Sequence, residues 1–259
     1  MKSVRMLFSL VLTAVIIFGF TAEGNCEIIK ETREVKNFDE VVFGCPGELT
    51  IIQGDKESLV IEADDDIMKY IETYVSGHTL KIKMDDRAWH RKLHFNYNID
   101  ITLYLKNINE LMVSGSGEAE SEKLISKELK LWVSGSGDLD VGKVEAKFLN
   151  LKVSGSGSIQ VDDLKSEEVD ARISGSGEID LGGKPTRQDI TISGSGGFMA
   201  RNLECDTAVV QVSGSGDVVV RVEKELDVNV SGSSDVEYYG DPNVRSRVSG
   251  SGDVRRRKG

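Results

Sequence analysis

A short glycine and serine phrase recurs eight times between residues 113 and 252. Each copy reads Val or Ile followed by Ser-Gly-Ser-Gly, except the seventh, in which Ser234 replaces the last glycine. The copies begin at Val113, Val133, Val153, Ile173, Ile192, Val212, Val230 and Val248, in steps of 20, 20, 20, 19, 20, 18 and 18 residues. This near-constant period predicts a solenoid in which each repeat forms one coil stacked on the last.

Apolar residues alternate with polar residues on both sides of each phrase. In the second copy, Leu131 precedes Val133 by two residues, and Leu139 and Val141 follow it by six and eight. A period of two is typical of a strand with one buried face. A third apolar position recurs at Leu124, Val144, Leu164 and Leu203. Three apolar positions per coil predict a triangular cross-section, and the 18-residue repeats lose their residues from the third side.

The paired glycines predict a sharp bend between strands. Glycine reaches positive φ without steric cost, and stacked coils would bring each glycine against the next, where a side chain would collide. The sequence leaves open whether the repeat serines face the interior or the solvent.

Composition and charge limit the classes of function. The 259 residues are 39% hydrophobic and only 6% aromatic, which fits one solenoid domain with a narrow aliphatic core. The formal net charge of −11 argues against nucleic acid as a partner.

The N-terminus has the features of a secretory signal peptide over residues 1–24. Lys2 and Arg5 precede an apolar run, and Ala22 and Gly24 are small residues suited to cleavage. A membrane anchor is the alternative, but the run is short for a span of about 20 residues. We therefore expect an exported protein, periplasmic or at the cell surface, without a transmembrane anchor after cleavage.

Three cysteines follow the predicted signal: Cys26, Cys45 and Cys205. Export permits disulfides, so Cys26 and Cys45 could pair, but the odd count makes a disulfide framework a poor interpretation.

Residues 25–112 are predicted to be a less regular N-terminal β region, and residues 113–259 the regular repeats of one continuous domain over 33–254. Phe43 aligns with the leading residue of a repeat, and Leu49 and Ile51 then fall six and eight positions later. This stretch is interpreted as a degenerate first coil, since terminal repeats are atypical. Alternation predicts strands over 59–63, 79–84 and 99–105, and the acids from Asp64 predict a short helix to Tyr70.

The segment between residues 85 and 98 is the least regular part of the chain. Such excursions often carry binding residues, so the candidate ligand contacts are Trp89, His90, His94, Phe95 and Tyr97. The alternative is that the aromatic side chains pack back onto the first coils. A metal on His90 and His94 would need a third ligand, which the sequence does not place nearby.

Six of the eight repeats carry an acid five residues after the leading Val or Ile. Stacking places these carboxylates about 5 Å apart, where like charges repel by roughly 1 kcal/mol in water. We expect them to turn into solvent or to accept hydrogen bonds from the glycine N–H groups of the turn, without a cofactor; shared calcium is the alternative. The best calcium candidates are Glu118, Asp138, Asp217, Asp235 and Asp253.

Several motifs together resemble a known bacterial family. They are the pattern from Arg33 to Phe43, the stretch 49–54, Leu80-Lys81-Ile82 and the V-S-G-S-G repeats. This order is similar to the DUF2807 family, described as "putative auto-transporter adhesin, head GIN domain". The resemblance implies an exported, right-handed parallel β-helix with coils of about 18–20 residues. It brings no established catalytic residues.

The expected function is a non-enzymatic, adhesin-like binding module at the bacterial cell envelope, with a glycan or an envelope or surface protein as partner. Polysaccharide-cleaving β-helices need clustered Asp with a basic residue, and the varying lateral residues show no such cluster. The alternatives are a structural, self-assembling envelope protein and, less favoured, a polysaccharide-acting enzyme. The basic run Arg255-Arg256-Arg257-Lys258 is interpreted as protection of an open strand edge, with attachment to an anionic surface as the alternative.

Overall fold

The computed structural model describes residues 13–15, 27–85 and 98–258. Within them, all strands join one sheet. The strands before the first repeat phrase are β1 (Thr13–Val15), β2 (Ile28–Arg33), β3 (Glu40–Gly44), β4 (Glu48–Gln53), β5 (Ser58–Asp64), β6 (Ile71–Ser76), β7 (Thr79–Met84) and β8 (Ile99–Leu105), with helix α1 at Asp65–Met68. The later strands are β9 (Glu110–Gly115), β10 (Glu118–Gly135), β11 (Asp138–Gly155), β12 (Ser158–Gly175), β13 (Glu178–Gly194), β14 (Gly197–Gly214), β15 (Asp217–Gly232), β16 (Asp235–Tyr239), β17 (Asn243–Gly250) and β18 (Asp253–Arg256).

The repeats form a parallel β-solenoid of about seven turns, as predicted. Strands β10 to β15 each wrap around one coil and pair in register with the next, so that Val133 lies beside Val153 and Val153 beside Ile173. The predicted internal column is buried, with every member at most 2% exposed: Val133, Val153, Ile173, Ile192 and Val212. Burial of this continuous aliphatic core stabilises each coil against its neighbours.

The two glycines of each phrase have different roles at the bend. The first has positive φ, as at Gly155 (127°), and the following N–H of Ser156 donates to Gly135 O at 2.8 Å. In the first six phrases the second glycine is buried, and a Cβ at Gly137 would lie 2.3 Å from Gly117 O. The serine between the glycines is exposed, which settles the direction that the sequence left open.

The exception to the phrase is accommodated by a hydrogen bond. Ser234 is fully buried at the position of the second glycine, and its hydroxyl donates to Gly214 O at 3.2 Å. The polar atom that the substitution buries is therefore satisfied.

Differences in repeat length are absorbed on the third side, as predicted. Leu164 pairs with Gly183 after a register shift that removes one residue from the 19-residue repeat. Between β14 and β15 the register shifts twice, around Cys205, and the shorter coil loses two residues there. The glycine bend keeps its register in all of these pairs.

The N-terminal part closes the stack with strands of mixed direction. Phe43 pairs with Val113 and Leu49 with Ala119, which confirms the degenerate first coil. Beyond it, β5 runs antiparallel to β2 and β8, and β6 forms an antiparallel hairpin with β7. Helix α1 lies inside the predicted 64–70 segment and buries Ile67 and Met68.

Of the predicted signal peptide, residues 1–24, the structure describes only β1. This strand pairs antiparallel with β2. In the described part of the chain, no helix combines the length and the apolar character needed to cross a membrane.

Candidate functional site

Each coil has three outward faces, which we name by their position relative to the glycine bend. In β10, the pre-glycine face carries Lys130 and Trp132, the post-glycine face carries Glu118 and Glu120, and the third face carries Lys123. Because the coils stack in register, equivalent side chains lie about one strand spacing, roughly 4.8 Å, apart. A candidate site on this fold is therefore a group of neighbouring columns.

The third face pairs its own charges. Lys123 and Lys143 both approach Glu145, at 2.9 and 3.6 Å, and Lys143 also approaches Asp163 at 3.4 Å. The ammonium of Lys123 lowers the pKa of the Glu145 carboxyl, and the Asp163 carboxylate raises the pKa of Lys143. These pairs join successive coils, so a ligand on this face would have to displace existing ion pairs.

The acidic column predicted from the sequence lies along the edge of the post-glycine face. Glu118 is in register with Asp138, and Asp235 with Asp253. Asp138 Oδ1 accepts hydrogen bonds from the N–H and the hydroxyl of Ser158, at 3.0 and 2.6 Å. Hydrogen bonding thus relieves part of the repulsion, but the donors belong to the next coil and not to glycines.

Hydrogen bonds and an ion pair also reduce the repulsion between carboxylates farther along the column. Asp235 Oδ1 accepts from the N–H of Asp253 at 3.1 Å, and Asp253 pairs with Arg255 at 2.7 Å. Asp217, the remaining calcium candidate of this run, is in register with Gly197 of the preceding coil. Over residues 13–15, 27–85 and 98–258, no group of three or more His, Cys, Asp or Glu side chains is arranged to hold a metal ion.

Beside this column, an open groove of about 470 Å³ lies where β4 ends against the first coils. Its polar lining consists of Thr50, Gln53, Glu120, Ser121, Glu122, Lys123, Asp140, Gln160 and Asp162. The expectation that the lateral residues form no cluster of carboxylates with a basic residue is therefore wrong, because stacking in register brings Glu120 beside Asp140. Burial raises the pKa of Asp140, and the nearby carboxylates of Asp138, Asp162 and Glu120 raise it further. Four carboxylates against the one ammonium of Lys123 give the groove a negative net charge, which disfavours anionic ligands.

The pre-glycine face has a different character. Its central column runs through Val42, Met112, Trp132, Lys152 and Arg172, each in register with the next. Three neighbouring coils therefore present apolar side chains on an outer wall, followed by two cations. Sequence reasoning missed this column, although counting one residue back from each leading Val or Ile would have identified Met112 and Trp132 as the apolar exceptions.

Trp132 is the centre of this face. Its half-buried indole has the ammonium of Lys130 at 5.8 Å and that of Lys152 at 5.4 Å from the ring centroid. Both distances are within the range of cation–π attraction. Lys130 also pairs with Glu110 at 3.3 Å.

The predicted ligand contacts are not placed by the structure. Trp89, His90, His94, Phe95 and Tyr97 all lie in the 86–97 segment, outside the described residues.

The two described cysteines, Cys45 and Cys205, are buried free thiols, whereas Cys26 lies outside the described ranges. Burial raises the pKa of Cys45 to about 12 and that of Cys205 to about 11. Neither is therefore suited to act as a nucleophile.

Solved structures with the same architecture are known from Parabacteroides and Bacteroides species. A protein from Parabacteroides distasonis, described as a "putative lipid binding protein", is 27% identical, with a TM-score of 0.82 over 91% of this chain and 98% of its own. A "putative adhesin" from Parabacteroides merdae is 22% identical, with a TM-score of 0.82 and the same coverage. Another from Bacteroides fragilis is 22% identical, with a TM-score of 0.69 over 90% and 98%.

No functionally curated protein matches this chain. The model of the DUF2807 family, described as "Putative auto-transporter adhesin, head GIN domain", matches residues 37–163 and 143–242. These two matches overlap and together cover most of the solenoid. The chain therefore belongs to the DUF2807 family.

Proposed function

We propose that this protein is an exported, non-enzymatic binding module of the bacterial envelope, which attaches to a surface glycan or surface protein in the manner of an adhesin. The family description supports this class of function. The observation that carries the proposal is the pre-glycine face, where Met112 and Trp132 stand on an outer wall beside the cations Lys152 and Arg172.

The wall beneath these side chains is suited to binding because it is already ordered. Main-chain hydrogen bonds fix β9 to β12 on both sides, so a ligand does not have to order the backbone. Preorganisation of this kind reduces the entropic cost of association. A row of moderate contacts at equal spacing can then add up over an extended partner.

The reactive groups of the acidic groove bear on the alternative of a polysaccharide-acting enzyme. The groove carboxylates Glu120, Asp140 and Asp162 lie beside one another on one face. The one histidine in the described ranges, His78, lies in the turn between β6 and β7, and both described cysteines are buried. Within the described residues, the groove carboxylates therefore have Lys123 beside them but neither a histidine nor a thiol.

Steric blocking of the pre-glycine face tests this function. Beads coated with the protein are allowed to settle on immobilised envelope preparations and on a glycan array, and retention under flow is measured. The double variant Ser174→Glu with Thr191→Glu adds bulk and negative charge at two outward positions of this face, away from Trp132. We expect at least a tenfold loss of retention.

The control is Asn202→Glu, which adds one side chain of the same kind at an exposed position on the third face. It should retain the beads as the unmodified protein does. Absence of retention for the unmodified protein, or equal losses for the control and the double variant, would contradict the proposal.

Attachment to anionic lipid is a second candidate, supported by the lipid-binding description of the 27% identical relative and by the exposed run Arg255 to Lys258. Three of its arginines are engaged by Asp253, Asp241 and Glu237, which weakens the attraction. Cosedimentation with phosphatidylglycerol vesicles, against phosphatidylcholine vesicles, tests this candidate.

A further inference from the structure

The geometry points to a binding site for a carboxylated glycan on the pre-glycine face, centred on the Trp132 indole and the Lys152 ammonium. The inference rests on the proposed adhesin-like function and adds the chemical class of the ligand. Four properties of this face support it: an aromatic surface, an unpaired cation, free hydrogen-bonding groups and a main chain without a free strand edge.

The aromatic surface is the half-buried indole of Trp132, which stands on the outer wall between Met112 and Lys152. A pyranose ring has one face made of C–H groups, and such a face packs well against an aromatic plane. Tryptophan also has an N–H that can donate to a sugar hydroxyl at the edge of the contact.

The unpaired cation is Lys152. Its two cationic neighbours are engaged, because Lys130 pairs with Glu110 at 3.3 Å and Arg172 with Asp170 at 2.7 Å. Among the residues that the structure describes, no carboxylate lies within ion-pair distance of the exposed Lys152, whose ammonium instead lies 5.4 Å from the indole centroid. A carboxylate carried by a stacked sugar would supply the missing charge-assisted hydrogen bond.

Polar groups able to read sugar hydroxyls surround this pair. The Asn150 amide and the hydroxyls of Ser134 and Ser154 lie on the same face, and within the described part of the chain none of the three makes a side-chain hydrogen bond. From Met112 to Lys152 the column crosses two coil steps, roughly 10 Å, which matches the length of a disaccharide.

The main chain without a free strand edge favours a glycan over a peptide. An extended peptide commonly binds by adding a strand to a free sheet edge. Here β10 pairs with β9 and β11 along this face, so no edge is available. The acidic groove on the post-glycine face repels anions, whereas the ammonium of Lys152 attracts a carboxylate and lies beside an indole.

The test compares two probes that differ only in charge. Tetragalacturonate presents a carboxylate on each ring, and its methyl ester presents the same rings without charge. Binding to the purified protein is measured by isothermal titration calorimetry at low salt, and sialyllactose against its methyl ester tests the second common source of a sugar carboxylate. We expect at least one acidic probe to bind about tenfold more tightly than its neutral counterpart.

Three variants test whether Lys152 and Trp132 form the binding site. Lys152→Gln should remove the preference for the acid while leaving the weak binding of the neutral probe. Trp132→Ala should reduce the affinity for both by roughly tenfold, and Trp132→Phe, which keeps a ring, should retain most of it. Gln211→Ala, in the same column four coils further along, is the matched control and should bind as the unmodified protein does.

Melting curves separate loss of binding from loss of folding, since the outward variants should keep the melting temperature within about 2 °C. Equal affinity for both members of each probe pair, or an unchanged preference in Lys152→Gln, overturns the inference. Where neither probe pair binds but bead retention still depends on Ser174 and Thr191, the glycan site is wrong and the proposed function stands. Where retention is absent as well, both are wrong.

Discussion

Gly155 lies against the carbonyl oxygen of Gly135, so that a Cβ added to Gly155 would come within 2.2 Å of that oxygen. Gly155 also has a φ of 127°, which side-chain-bearing residues rarely adopt. We expect Gly155→Ala to destabilise the protein by about 3 kcal/mol, a fall of roughly 6–12 °C in melting temperature. Differential scanning calorimetry measures the change.

Two other glycines distinguish the cost of a positive φ from the cost of the steric contact. Gly115 has a φ of 103° but open space around its Cβ direction, so Gly115→Ala should cost only about 1 kcal/mol. Gly54 has neither positive φ nor a close neighbour, and Gly54→Ala should be neutral. Equal effects at all three positions would mean that the stacking contact does not set the need for glycine.

A charge in the core should prevent the stack from forming. Val153 is completely buried between Val133 and Ile173. We therefore expect Val153→Asp to yield no soluble protein, or to lower stability by more than about 4 kcal/mol. The matched control Val219→Asp places the same change on the outer wall of β15, and its soluble yield and melting temperature should be nearly unchanged.

The acidic groove should make stability depend on pH. The folded protein raises the pKa of Asp140 above its ordinary value of 3.8, first through burial and then through neighbouring carboxylates. The folded state therefore binds this proton more readily than the unfolded state. The resulting stability is present below pH 3.8 and is lost as pH rises through the folded-state pKa.

Replacement of this carboxyl tests the pH effect. At pH 7 Asp140→Asn should be more stable by about 0.5 kcal/mol, since much of the repulsion is screened by solvent, and the gain should vanish near pH 3.5. Asp227→Asn removes an outward acid that lies in register with Arg245 and should bring no gain. A pH-independent difference for Asp140→Asn would contradict electrostatic repulsion as the cause.

Calcium should have little effect on stability. Asp138 and Asp235 already accept hydrogen bonds from the next coil, and Asp253 is paired with Arg255. We therefore expect the same melting curve in 2 mM calcium and in EDTA, with the concentration chosen to exceed roughly millimolar dissociation constants. A rise in melting temperature that Asp138→Asn abolishes would instead establish calcium binding at the acidic column.

The buried thiols should be inert until the solenoid opens. Burial raises the pKa of Cys205 to about 11 and of Cys45 to about 12, so that almost no thiolate is present at pH 8. In a Cys26→Ser background, we expect less than about one-tenth of the thiols to react with a disulfide reagent in the folded state and both to react in denaturant. Fast reaction of Cys205 in the folded protein would show that the third side opens.

Much of the fold could be predicted because the repeat leaves few choices of register. Counting from the glycines placed the column of Val133 and Val153 and aligned Phe43 with Val113, since slipping by one residue would turn every apolar side chain outward. Strand direction was less predictable. The alternation in β5 is the same for parallel and antiparallel pairing, and only its neighbours β2 and β8 determine that it runs antiparallel.

The site was less predictable than the fold because outward positions carry no periodic constraint. Trp132 is suited to binding because Lys152, twenty residues later in the chain, lies in register with it. Among the described residues, Lys152 also has no carboxylate partner. Gln53 shows the same limitation in a structural role. Its side-chain amide pairs with the main chain of Ile125, at 2.7 and 2.9 Å, and so extends the ladder beyond the end of β4.

The glycine bend stays in register between successive coils, and this also determines how the length of the molecule can change. Each coil advances the stack by one strand spacing, about 4.8 Å, whichever side chains it displays. Duplication or loss of one 20-residue unit would move every later coil by that same increment and still leave glycine against glycine. The distance from the antiparallel N-terminal strands to the Trp132 indole is therefore a whole number of coil steps. Genetic duplication of a coil between them would lengthen this distance by one step.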